Sequence, residues 1–144
     1  LISGHKALRS KLAEQKLGKI HLEVKPKETR GGEMIQCALH FKPTSELHIN
    51  TVTVLLKGIE RFVSGSGTWR KTHRHEFHQS KDVLLSERHI QQNEPVALYG
   101  KIPIPHDAAP TFTASYNQIF WIVEVQMDIA RWPDWSHEEH LWMG

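Results

Sequence analysis

The sequence predicts an all-β domain: an antiparallel β-sandwich entered through a short N-terminal helix. Three observations carry that reading. Apolar residues recur at every second position along most of the chain. The connections between those runs are irregular and polar, with no strand–helix–strand rhythm. A proline-punctuated stretch, Pro103 to Pro110, feeds the longest apolar run, Gln118 to Ile129, which leaves through the corner Arg131-Trp132-Pro133-Asp134-Trp135. Such a stretch carries a chain from one sheet of a sandwich to the other.

The helix comes first. Ser3 is placed to cap a helix over about His5 to Leu17, and Gly18 suits the left-handed position that ends one. Leu8 and Leu12 stand four apart on one face, with Leu1 and Ile2 upstream. That stripe is narrow, so an isolated helix would be marginal. Residues 1–18 are read as a basic helix or linker and 19–144 as the domain. Two readings of the helix compete: a solvated helix packed loosely on the domain, and a basic segment drawn to anionic lipid.

After Gly18 the period becomes two. Ile20, Leu22 and Val24 form the first strand, and Pro26 to Gly32 a turn. Ile35, Cys37, Leu39 and Phe41 form the second strand, closed by Lys42-Pro43-Thr44-Ser45. Val52, Val54 and Leu56 share a face in a third that runs to about Val63. Ser64-Gly65-Ser66-Gly67 is a hairpin loop. The strand from Trp69 to about Leu85 is polar on both faces in its first half, which places it at a sheet edge; Val83 and Leu85 restore burial. Glu87 to Glu94 reads as a polar connection. Val96, Leu98 and Gly100 open the next strand. In the run after the crossover, Ile119, Trp121, Val123, Val125, Met127 and Ile129 share one face. Phe120 and Ile122 on the other suggest cover from the N-terminal helix. A last strand is expected around Glu139 to Met143.

Composition bounds the function. A chain of 144 residues suits one domain, and 39% apolar with 24% charged residues suits a folded globule. The net charge of +2 is too small to imply nucleic acid. It divides unevenly: residues 1–20 carry +4 and the remainder −2. Cys37 is the only cysteine and sits in an apolar alternation, so a buried, inert thiol is expected and a reducing compartment fits. No apolar stretch reaches the ~18–20 residues of a membrane span, and residues 1–20 do not read as a secretory signal pattern. The chain begins at Leu1 rather than Met, as expected of a fragment or a processed product.

No motif compels a reaction. His73 and His75 lie two apart in a strand and face the same way, so they are weak candidates for two metal ligands, with His137 or His140 as a third. Lys71 and Arg74 beside them disfavour a cation. His137-Glu138-Glu139-His140 is not a zincin pattern. Ser66 between Gly65 and Gly67 lacks the spacing and the following helix of a nucleophile elbow. Asp107, Asp128 and Asp134 are scattered, with nothing to show them converging. Trp132 and Trp135 make either an exposed docking patch or a folded corner with Arg stacked on Trp.

The residues also carry a resemblance. Ile20–Lys25 with Pro26, Gly32-Glu33, Val52–Leu56 with Gly58, Ile102-Pro103-Ile104-Pro105, Pro110, Tyr116 and Ile119–Ile129 resemble the arrestin-like superfamily, over about residues 19–143. The likeness is closer to divergent prokaryotic members, and to bacterial proteins in which such a domain follows membrane helices and a corner like Trp132–Trp135 recurs. It implies a single immunoglobulin-like lobe and an adaptor or scaffold without catalytic activity. It supplies no residue for the buried charged core of that superfamily. The expected function is therefore a non-enzymatic interaction module without cofactor, with a protein partner and no nucleic acid. The expected location is cytoplasmic, with a segment before Leu1 as a candidate membrane tether and the basic helix near the membrane. The candidate surface is the edge strand, with Trp69, Lys71, His73, His75 and Phe77. A metal site at His73 and His75, and a carbohydrate or small-ligand site built on exposed tryptophan, are the alternatives.

Overall fold

The computed structural model describes residues 4–144, with Gly4 and His5 described by backbone alone. Leu1, Ile2 and the expected cap Ser3 lie outside the described residues. The elements are α1 (Gly4–Leu17), β1 (His21–Lys25), β2 (Glu28–Thr29), β3 (Met34–Phe41), β4 (Leu47–Ser64), β5 (Lys71–Ile90), β6 (Val96–Pro103), β7 (Phe112–Thr113), β8 (Asn117–Ile129) and β9 (Trp135–Met143). One sheet has the order β1-β3-β6. The larger has the order β2-β9-β8-β4-β5, with β7 on β8. All pairings are antiparallel except the short one between β2 and β9. This is the expected all-β sandwich behind a short helix.

The core forms where the alternation expects it. Ile35, Cys37, Leu39 and Phe41 of β3 and Leu98 and Ile102 of β6 belong to one buried cluster with Val52, Val54 and Leu56 of β4 and Trp121, Val123, Val125 and Met127 of β8. The crossover from β6 to β8 is pinned at three points. Ile104 exchanges backbone hydrogen bonds with Gly32 and Glu33, at 3.0 and 2.9 Å. The Trp121 indole donates to Ala109 O at 2.8 Å. Thr111 N donates to Met143 O at 2.8 Å.

Five details differ from the sequence reading. Helix α1 turns the other way: Leu8 is 59% exposed and Leu12 37%, while Ser10, Ala13 and Leu17 are buried. The reason is close approach to β9. Ser10 Oγ donates to Ser136 O at 3.0 Å and accepts from Ser136 N at 3.1 Å, which a small side chain permits. Gly18, at φ +71°, does end the helix, and Thr44 donates to the last carbonyls, Gln15 O and Lys16 O. Second, β5 continues through Glu87 to Ile90, because an edge strand needs no apolar alternation. Third, a bulge opposite Val52 and Thr53 turns Val83 outward, 46% exposed, and Leu84 packs over Gly100 instead. Fourth, Ile122 is buried on the outer face, but the helix residue that reaches this face is Lys6, and its target is Glu124. Fifth, β9 starts at Trp135, not Glu139.

Candidate functional site

Strand β5 ends the larger sheet, so one side of its backbone has no ladder partner among the described residues. Buried residues of β4 stop at Ile59, yet β4 and β5 run on to a turn at Gly67–Trp69. The hairpin therefore extends past the core. Lys71, His73 and His75 pair with Ser64, Phe62 and Glu60 and project to one side. Trp69 at the turn is 83% exposed. His73 is held, with its ring stacked on Phe62 at 4.7 Å and its Nε2 2.7 Å from Ser64 Oγ. Phe77 has a packing role, meeting Trp121 edge-on at 5.4 Å above Gly58.

The metal candidates do not assemble. Among the described residues no group of three His, Cys, Asp or Glu side chains could hold an ion. His137 bonds Glu139 at 3.1 Å, and His140 lies against the Phe120 ring. Trp121 and Trp135 are buried. The exposed tryptophans, Trp69 and Trp142, line none of four surface grooves, so they build no ligand platform there. Burial, with a smaller push from Asp82, raises the Cys37 thiol to about 11, which keeps it protonated and inert.

Two charged clusters were not foreseen. Glu124 is fully buried on the outer face of β8. Its carboxylate accepts from Lys6 at 2.8 Å, Lys57 at 2.9 Å and the Gln126 amide at 3.0 Å. Burial pushes its pKa up, but the two lysines outweigh that and hold it below the ordinary carboxylate value. Nothing in the pattern marked it, because Glu124 alternates with Val123 and Val125 like a solvated residue. The second cluster corrects the scattered-aspartate reading. Asp134 lies close enough to Asp128 for the two carboxyl groups to interact. Arg9 is 3.5 Å from Asp134. Burial first, then the Asp128 charge, raises the Asp134 pKa against Arg9. They line a groove of about 370 Å³ with Lys6, Thr51 and Thr53.

The aromatic corner clamps the helix. The Trp132 indole donates to Leu12 O at 2.9 Å and that of Trp135 to Glu14 at 3.3 Å. The cation on Trp132 is Lys16, at 4.3 Å, not the adjacent Arg131. No helix among the described residues is long and apolar enough to cross a membrane.

No protein-family model and no curated protein sequence matches this chain. Among solved structures, it superposes on Spo0M, a sporulation control protein from Bacillus subtilis, with a TM-score of 0.66 at 17% identity, over 87% of this chain. The fold is arrestin-like. The match takes in 48% of Spo0M, so this arrestin-like sandwich spans about half the length of that chain.

Proposed function

We propose that the domain is a non-enzymatic interaction module that captures an extended segment of a protein partner along the free edge of β5. The observation that carries this reading is the position of β5. It is 20 residues long and ends the larger sheet. From Lys71 to Gln79 no residue is buried. Free edge N–H and C=O groups offer a ladder to an incoming strand. The charges of Lys71, Arg74 and Glu76 keep such an edge from pairing indiscriminately and make it selective. The likeness to a sporulation control protein supports a regulatory role over a catalytic one.

The test is affinity capture from cells expressing the whole reading frame, with partners identified by mass spectrometry. Lys71→Glu with Arg74→Glu should lose the partners that the parent retains. An unchanged set of partners, with both proteins folded, would sink this use of β5.

A further inference from the structure

The end of the sandwich at the β4–β5 turn carries a different surface. From Arg61 to His75 the chain has four cations, Arg61, Arg70, Lys71 and Arg74, and no acidic residue. The segment from Ala108 to Val123 has none either. The two segments meet at this end. Val63 N donates to Tyr116 O at 2.9 Å, and the Arg70 guanidinium lies 5.4 Å from the centre of the Tyr116 ring. Arg61 and Arg74 are direct cross-strand partners, a like-charge juxtaposition that costs a sheet stability. Neither forms an ion pair among the described residues. Arg61 donates to the Gln118 amide at 3.2 Å, and Arg74 lies over the Phe120 ring at 5.6 Å.

At the apex Trp69 is 83% exposed and Tyr116 57%. Trp69, Arg70, Lys71 and Tyr116 line none of the four surface grooves, whereas Arg61 and Arg74 line one together with Glu138. Three of the four cations of α1 are engaged within the molecule instead, Lys6 on Glu124, Arg9 on Asp134 and Lys16 on Trp132, and Lys11 is exposed. The apex, whose two segments contain no acidic residue, is therefore a larger open cationic surface than the helix, which leaves Lys11.

We propose that this apex docks the domain onto an anionic phospholipid surface. Trp69 enters the headgroup region, and Arg70, Lys71, Arg61 and Arg74 meet lipid phosphates behind it. An exposed tryptophan with cations set back from it matches the layered polarity of a bilayer interface. Trp69 and Arg70 at the tip lie before the start of β5 and line none of the four grooves, so the tip itself lacks the strand edge or groove that a peptide partner would want. Nothing here depends on whether β5 captures a strand.

The experiment is cosedimentation with vesicles of phosphatidylcholine, with and without phosphatidylserine. Binding is expected only when phosphatidylserine is present, and it should weaken with added salt. Arg70→Gln with Lys71→Gln should weaken it roughly tenfold or more. Trp69→Ala should weaken it at unchanged charge. All these side chains are exposed, so circular dichroism and melting should match the parent. No sedimentation with either vesicle overturns the proposal, as does equal sedimentation with both, or binding that the variants leave unchanged. Retention on a polyglutamate resin without vesicle binding also overturns it, and reassigns the apex to an acidic polypeptide.

Discussion

Glu124 keeps its charge in a buried position because two ammonium groups reach it from different elements, Lys6 from α1 and Lys57 from β4. Lys57 is only 19% exposed, whereas Lys6 at 42% can swing into water. Loss of the carboxylate therefore strands Lys57. Glu124→Gln should cost about 3 kcal/mol in denaturant unfolding, since breaking a buried pair leaves an uncompensated charge. Adding Lys57→Met should recover part of that loss; a double variant as unstable as the single would contradict the account. The pH dependence follows from the depressed pKa. The ion group is fully stabilising above the ordinary glutamate value of ~4.3 and fades as pH falls through the lower folded value. Asp134 has the opposite sign. Its raised pKa means that the Asp128–Asp134 pair favours folding at acid pH and that this contribution is lost as pH rises through the folded value. Asp128→Asn should therefore raise the melting temperature at pH 7, and the gain should shrink as pH falls into the carboxylate range. A gain that persists in acid would point to something other than repulsion.

At the scale of elements, α1 shows why spacing alone misplaced a face. Leu8 and Leu12 form the more apolar pair, yet the helix buries Ser10, Ala13 and Leu17. What decides the matter is the receiving surface: the Ser136 backbone, Trp132 and Trp135. Local periodicity carries no information about that surface. Leu17→Ala should cost roughly 2–5 kcal/mol. Leu8→Ser and Leu12→Ser should stay within about 0.5 kcal/mol. If unfolding midpoints show the reverse order, the helix faces the other way. In β4, Gly58 is required by close approach: a Cβ there would lie 2.7 Å from the Phe77 ring and 3.0 Å from that of Trp121. Gly58→Val should destabilise by about 1–3 kcal/mol through overpacking, and trimming Phe77 to Ala in the same chain should relieve it in part. The core strands and the crossover were legible because burial imposes period two on β3, β6 and β8. The end of β5, the outward turn of Val83 and the meeting of Asp128 with Asp134 were not. Each depends on a strand edge, a bulge or a corner that the local pattern leaves undetermined.

Across the whole molecule, the two sheets do not cover one another evenly. Around Val54, Leu56, Val123 and Val125 both layers are present and the side chains are buried. Past the bulge between Gly58 and Ile59, β4 and β5 continue as a hairpin whose residues from Glu60 to Gln79 are all exposed or half-buried. Strand β8 stays paired with β4 as far as Phe62, opposite Asn117, so only the tip from Val63 to Thr72 is a two-stranded ribbon. Such a ribbon is marginal by itself, and the tip should open locally while the core stays closed. Hydrogen exchange measures this directly. Amides of Val54, Leu56, Val123 and Val125 should exchange only through global unfolding. Those from Ser64 to Thr72 should exchange orders of magnitude faster. Uniform protection along β4 would mean that the ribbon is held by contacts the fold does not supply. The same measurement separates the two surfaces. A strand captured on β5 adds hydrogen bonds along Lys71–Gln79 and should slow exchange over that whole length. An anionic vesicle touches the apex and should protect mainly Thr68 to Lys71. Protection confined to the apex with phosphatidylserine vesicles, and spread along β5 with a peptide partner, would place two separate binding functions on one hairpin.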